Sequence, residues 1–314
     1  MRVVVSDHVF TDLDIERSAI AEVGGELVLA SASDEQTLAA AAEHADALLV
    51  CYAAVGERVV EAAARGGCKI ISRYGIGVDN IDVAAATRAG IRVTNVPDYC
   101  IDEVADHAMA LLLLCARQLL PAIDSVRSGG WQVPHGRVHR VAGKRLALLG
   151  VGRIGRQVLD RARAFGLEVV GYDPFLHDDM PGLSRASSPE EAVAEADFVS
   201  VHAPLTADTR HLVGAELIGS MLRAPFVINT SRGGLVDAAA AVRALDAGTL
   251  SGLALDVTEE EPLPADSPLR THPRVILTPH MAFYSVESER ELQRRAVDEV
   301  VRALRGEPAV SAVN

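Results

Sequence analysis

The sequence predicts an α/β protein built from two similar units, each a parallel sheet covered by helices, and three observations lead there. Short apolar strand-like runs alternate with alanine-rich helical stretches from end to end, the pattern of parallel sheets with helices on both faces. The 314 residues exceed an average single domain. The runs also fall into two similar series, with no low-complexity tract and no repeat of short fixed period.

In the first series "RVVVS" (Arg2–Ser6), "ELVLA" (Glu26–Ala30), "ALLVC" (Ala47–Cys51), "KIIS" (Lys69–Ser72) and "IRVTNV" (Ile91–Val96) read as strands. "DEQTLAAAAEHA" and "ERVVEAAARG" read as helices between them. The segment from Asp102 to about Leu120 predicts one long apolar helix leading into the second series. There the strands are "RLALLG", "EVVGYD", "DFVSVHA", "FVINTS", "GLALDV" and "RVILTP", running from Arg145 to Pro279. "ESERELQRRAVDEVVRALRG" is a final helix with Ser285 as N-cap, Glu287 and Glu289 early, Arg302 and Arg305 late, and Gly306 as its stop. By position alone it could pack on either unit.

Hydrophobic residues make up 49% and charged residues 23%, an ordinary globular composition. The net charge of -13 argues against a nucleic-acid or anionic-membrane partner, because such surfaces need clustered Lys and Arg. Cys51, Cys68, Cys100 and Cys115 form no CxxC pair and sit in or beside apolar runs, so they read as buried small hydrophobes and no metal is expected. "MRVVVSDHVF" reads as a strand interrupted by Asp7, not as a secretion signal, and "AMALLLLC" is too short to span a bilayer. A cytoplasmic protein is expected. Lysine occurs only at Lys69 and Lys144, which leaves a lysine-based mechanism almost no candidates.

The most specific stretch is "LALLGVGRIGRQVLDRARAFGLEVVGYDP". A strand ends at Gly150, and Gly150, Gly152 and Gly155 give GxGxxG. A helix opens near Arg153, and Asp173 closes the next strand at the spacing a dinucleotide fold requires. Gly150 permits the tight turn, Gly152 lets backbone approach a pyrophosphate, and Gly155 lets the helix pack on the sheet. The amides near Arg153 and Ile154 face the phosphates at the positive helix end. Asp173 would accept hydrogen bonds from a ribose 2′-hydroxyl and repel a 2′-phosphate. The expected cofactor is NAD.

Three polar residues lie at or just beyond later strands: Arg232, Glu261 and His280. Ligands of open α/β sheets bind beyond the carboxyl ends of strands. Each residue alone reads as a salt-bridge partner, a solvated acid or a satisfied histidine. Together they match hydride transfer between a nicotinamide and a 2-keto acid. The arginine fork holds and polarises the acid. His280 gives or takes the proton, and Glu261 keeps the imidazole charged and oriented.

With these residues in view, the chain resembles the D-isomer-specific 2-hydroxyacid dehydrogenases over essentially its whole length. The matching blocks are "RYGIGVDNID", the dinucleotide fingerprint, "VHAPLTADTRHLV", "NTSRGGLVD", "LDVTEEEP" and "LTPH". The resemblance places the catalytic arginine, glutamate and histidine at Arg232, Glu261 and His280, and implies that Asp256 holds the nicotinamide amide. It implies further cofactor contacts at His202, Ala203, Pro204, Thr209, Thr230 and Ser231. The loop Tyr74 to Val78, with Gly75, Ile76 and Gly77, is implied to bind the substrate carboxylate. Phe283 would stand beside the pocket, with Tyr52, Tyr74 and Cys100 as further candidates for lining it.

The resemblance implies two Rossmann-like domains: a discontinuous, flavodoxin-like substrate domain of residues 1–98 and 285–314, and an NAD-binding Rossmann domain of 99–284. It also implies a hinge that closes over the acid and a homodimer formed with the helix from Asp102. "VAD" (Val104–Asp106) stands where family members often carry "VAE". Ile76 argues against a phosphite dehydrogenase, which would carry lysine in that loop. No regulatory domain after Asn314 is expected. Parts of the chain look most like the branch near the C-terminal-binding-protein corepressors, so an NAD(H)-sensing scaffold remains an alternative to the enzyme.

Overall fold

The computed structural model describes residues 1–30, 34–136 and 138–314. Spatial proximity along the chain separates two units, Met1–Tyr99 with Ser285–Asn314, and Cys100–Tyr284.

The first unit is a five-stranded parallel sheet of β1 (Arg2–Val5), β2 (Glu26–Leu29), β3 (Ala47–Val50), β4 (Ile70–Arg73) and β5 (Arg92–Thr94), in the order β2-β1-β3-β4-β5. Helices α1 (Asp14–Glu22), α2 (Glu35–Ala42), α3 (Glu57–Gly66) and α4 (Val83–Arg88) connect the strands. Val3 to Val5, Ala47 to Val50, Ile70 and Ile71 are fully buried. Strands covered on both faces have no exposed side to make polar, so they read as unbroken apolar runs.

The second unit begins with α5 (Ile101–Arg117) and α6 (Leu119–Arg127). The single helix expected up to about Leu120 is therefore two, bent by 67° at Gln118. Gln118 takes the left-handed conformation (φ 50°), and both its backbone amide and its side-chain amide donate to the Cys115 carbonyl. Pro121 explains the break: it has no N–H to continue the ladder, and its ring would clash with the carbonyl four residues back.

Seven parallel strands follow: β6 (Arg145–Leu149), β7 (Glu168–Tyr172), β8 (Leu183–Arg185), β9 (Phe198–Val201), β10 (Phe226–Asn229), β11 (Gly252–Leu255) and β12 (Val275–Leu277). Between them run α7 (Arg153–Ala164), α8 (Pro189–Val193), α9 (Ala215–Gly219) and α10 (Ala238–Ala247). β8 was not predicted. It is three residues at the sheet edge, two of them exposed, so it carries no apolar run to mark it.

The order β12-β11-β10-β9-β6-β7-β8 reverses between β6 and β9, which makes the carboxyl ends of those two strands the topological switch point. Leu146, Leu148, Ile228 and Ala254 are buried with α5 and α7 on one face; Leu149, Val199, Val227 and Leu253 are buried on the other.

The last helix, α11 (Val286–Leu304), packs on α1, β3 and β4. Its N-terminus is a capping box, in which Ser285 accepts the Ser288 amide and Ser288 accepts the Ser285 amide. The Ser72 hydroxyl donates to the Ala296 carbonyl at 2.9 Å, so a polar side chain in the first-unit core is satisfied by this helix.

Candidate active site

The switch point is shaped by glycines. Gly150 ends β6 with φ 97°, and a Cβ there would lie 2.6 Å from the His202 carbonyl carbon at the end of β9. A Cβ on Gly155 would lie 2.5 Å from the Gly150 carbonyl oxygen, so this glycine lets α7 approach the strand end. Gly152 is different. It is the N-cap residue of α7, and a Cβ there would meet nothing within 4 Å. The space in front of the helix start, beside the amides of Arg153 and Ile154, is open where a pyrophosphate would approach.

Asp173, just past β7, accepts the Val151 amide (2.8 Å) on one oxygen and the Phe175 amide (2.9 Å) on the other. Each oxygen keeps a lone pair with which to accept a ribose hydroxyl.

Across the switch point Nδ1 of His202 and Oγ1 of Thr230 are buried with no hydrogen-bond partner among the described residues, as are Nε of Arg2 and Oγ1 of Thr94 in the first unit. The other His202 nitrogen contacts the Ser200 hydroxyl at 2.8 Å, and burial pushes the imidazole down to about 4, so the ring is neutral at physiological pH. Buried polar atoms are normally paired, and two orphans just past the ends of β9 and β10 fit a cofactor that supplies the missing hydrogen bonds.

Other residues expected at the cofactor are engaged by the protein itself. The Ser231 hydroxyl donates to the Val201 carbonyl (2.8 Å). The Thr209 hydroxyl donates to the Pro204 carbonyl (2.6 Å) and accepts the Thr206 amide, closing the loop that begins at Ala203. Asp106 pairs with Arg161 of α7, which also holds Asp102. That ion pair ties α5 to α7.

Arg232 stands in the loop after β10, and Asn229 holds that loop. The Asn229 side chain donates to the Arg232 carbonyl (2.8 Å) and accepts the Ser231 amide (3.0 Å). The Arg232 guanidinium donates to the Ser231 carbonyl (2.8 Å). Gly233 then passes directly against the next loop, where a Cβ would overlap the Thr258 carbonyl. This close approach brings the arginine loop against the one carrying Glu261.

Glu261 accepts the Thr258 amide (2.9 Å) on one oxygen, and its other oxygen lies 2.6 Å from Nδ1 of His280. Burial alone would raise the Glu261 carboxyl. The hydrogen bond and charge of His280, the Thr258 amide and the charge of Arg232 outweigh that and hold it below the usual carboxylate range. The Glu261–Pro262 peptide is cis. The Phe283 ring meets the imidazole edge-on, with centroids 6.3 Å apart. A cation, a carboxylate and an imidazole thus share one strand-end region of the second unit. Arranged this way they can grip an anion and exchange a proton.

Asp256 is buried, and its carboxylate accepts the Thr278 hydroxyl (2.5 Å) and the amides of Met281 (3.0 Å) and Ala282 (2.8 Å). It braces the turn that carries His280, and one lone pair on Oδ2 is left for a nicotinamide amide. Sequence reasoning missed three residues here. Gly233 was signalled only by the pair of glycines after the arginine; Thr278 and His107 of α5, joined at 3.0 Å, had no signal.

In the first unit the loop after β4 is held from within. The Val96 amide donates to the Gly75 carbonyl (3.0 Å) and the Asn95 side chain donates to the Ile76 carbonyl (2.6 Å). Gly75 has φ 147°, which a side chain would strain. The expectation for the Tyr74 side chain is corrected. The ring is buried, edge-on to Phe10, and its hydroxyl donates to Glu16 (2.9 Å), so it is core and not pocket lining. Tyr52 is 41% exposed, with its ring over the Arg73 guanidinium, and Cys100 is buried at the start of α5.

Comparison with known proteins follows the same lines. Residues 109–282 match the D-isomer specific 2-hydroxyacid dehydrogenase, NAD binding domain family. The chain is 37% identical along its whole length to a D-3-phosphoglycerate dehydrogenase of Methanocaldococcus jannaschii, of which it spans only 59%. It is 38% identical to a glyoxylate reductase of Korarchaeum cryptofilum, with 83% of this chain and 80% of that protein aligned. Among solved structures, a Thermus thermophilus protein superposes over the full length of both chains with a TM-score of 0.91 and 34% identity. A D-lactate dehydrogenase of Aquifex aeolicus, solved with NAD and lactic acid, covers 97% of this chain and 96% of its own with a TM-score of 0.87 and 27% identity.

Proposed function

Because the chain belongs to the D-isomer-specific 2-hydroxyacid dehydrogenase family, we propose that it interconverts a small 2-keto acid and its D-2-hydroxy acid with NAD. The observation that carries the reading is the 2.6 Å contact of Glu261 with His280, under the charge of Arg232.

Glu261 takes Nδ1–H, which assigns proton exchange with the substrate to Nε2 of His280. In reduction Nε2–H gives its proton to the carbonyl oxygen, while Glu261 fixes the ring through Nδ1–H. Arg232 holds the acid and draws electron density toward the carbonyl oxygen. Bound NAD supplies the hydride acceptor, and NADH the donor. The amides at Gly152 to Gly155 would hold its pyrophosphate, Asp173 its ribose and Asp256 its nicotinamide amide.

The reading extends to a cytoplasmic homodimer. Among the described residues no single helix is long and apolar enough to cross a membrane. Sedimentation as a monomer at micromolar concentration would remove the dimer.

The test is NADH oxidation with glyoxylate, pyruvate, hydroxypyruvate and bulkier aliphatic keto acids. Turnover on at least one is expected, with NADH strongly preferred to NADPH. No turnover on any, together with NADH-dependent self-association, would replace the enzyme with a nucleotide-sensing scaffold.

A further inference from the structure

We propose that His107 of α5 is a positioning residue for His280, acting through Thr278 and Asp256. His280 sits at φ 52°, in the left-handed region that costs energy for a residue with a side chain and persists only where its surroundings impose it. The surroundings are specific. The His280 amide donates to the Asp256 carbonyl (2.7 Å) and the Thr278 carbonyl (3.0 Å). The next two amides, of Met281 and Ala282, donate to the Asp256 carboxylate. The conformation of the turn therefore depends on where that carboxylate points.

His107 controls this at one remove. Thr278 Oγ1 lies 2.5 Å from Asp256 Oδ1 and 3.0 Å from Nε2 of His107, which is itself 3.6 Å from the same carboxylate oxygen. A hydroxyl has one proton. The carboxylate accepts it, so the hydroxyl oxygen must accept from the imidazole, and the His107 proton is placed on Nε2. The chain of donors runs His107 to Thr278 to Asp256, with the turn amides closing on the same acid. α5 is packed against the sheet through Leu111, Leu112 and Cys115, so His107 presents its donor from a rigid element. Removing that donor frees the Thr278 hydroxyl to rotate and loosens the acid that braces the catalytic turn. Proton transfer is sensitive to such displacements, because a misplacement of about 1 Å can cost about a hundredfold.

The inference rests on the dehydrogenase reading, and the experiment separates the two. His107→Leu, His107→Gln and Thr278→Val are compared with the wild type for kcat, KM for the keto acid, NADH affinity by fluorescence titration, and melting temperature. His107→Leu is expected to lower kcat about tenfold or more, with KM for the keto acid within about twofold. His107→Gln, which keeps an N–H donor, should recover most of the loss. Thr278→Val should match the leucine variant, and the double variant should be no worse than either single one, as for links in one chain.

Retention of kcat by His107→Leu, equal losses in the leucine and glutamine variants, or additive losses in the double variant would each overturn the proposal. Should His107→Leu fail to fold, Thr278→Val and His107→Gln carry the same test. A wild type that reduces no keto acid removes the parent reading, whereas wild-type turnover with an unaffected leucine variant removes this inference alone.

Discussion

Glu16 in the first unit and Glu261 in the second are the same side chain, each with two polar partners, and they are driven in opposite directions. Glu16 is fully buried on α1, and its donors are neutral: the Tyr74 hydroxyl and the Gln293 amide. Burial dominates, so its carboxyl is raised despite those hydrogen bonds and the charge of His8. Glu261 is 34% exposed at a strand end and faces an imidazole and a guanidinium, so its carboxyl is lowered despite burial. Neutral hydrogen bonds do not hold a fully buried carboxyl below the usual range. At a carboxyl with some access to water a cationic partner does, and that is what a proton-exchange site needs.

The wider regions differ in the same way. In the first unit the ends of β1 and β3 are closed by the protein: Asp7 accepts the amides of Cys51, Tyr52 and Ala53, and Asn80 donates to the Cys51 and Ala53 carbonyls. In the second unit His202 and Thr230, at the ends of β9 and β10, each keep a buried polar atom without a partner among the described residues. The ends of β1 and β3 are thus satisfied by the protein itself, whereas those of β9 and β10 keep hydrogen-bonding capacity for a ligand.

The contrast can be broken most directly at the second unit. His280→Gln should lower turnover about a hundredfold to ten-thousandfold; an unchanged rate would take the imidazole out of the chemistry. Next comes Gly233→Ala, where the Thr258 backbone cannot yield to a Cβ. Turnover should fall about a hundredfold as the Arg232 and Glu261 loops separate, and a normal rate would show that their close approach is dispensable.

A smaller effect is expected from Glu16→Gln, which mimics the neutral acid and should leave turnover within about twofold while altering stability. The raised Glu16 carboxyl contributes stability present below the unfolded value near 4.5 and lost as pH rises through the folded value. The variant should therefore gain melting temperature over wild type as pH rises from about 5 to 8. For the lowered Glu261 the sign reverses: its contribution is present above 4.5 and lost as pH falls through the folded value. Glu261→Gln should melt slightly below wild type at pH 7, with the difference shrinking as pH falls below 4.5. The same pH trend in both variants would dissolve the comparison.

The parallel strands were legible because both-sided burial writes itself as apolar runs, and β8 was not because an exposed three-residue edge writes nothing. Pro121 did signal the break after α5, but the apolar run through Leu120 masked it. Tyr74 shows the limit on the site side. Its place beside Gly75 made it a lining candidate, and only the position of Glu16, 58 residues earlier, turns it into core. The Thr278 link to His107 spans 171 residues, beyond any local pattern.

The order of residues by itself determined the α/β alternation, the glycine fingerprint with its acidic terminus, and which residue types stand at the strand ends, because these follow from local periodicity and spacing. Only the tertiary structure decided which carboxyl is raised and which is lowered, which glycine must stay bare against a neighbouring loop, and which helix braces the catalytic turn. Those outcomes depend on burial and on partners distant along the chain, and neither quantity exists until the chain has folded.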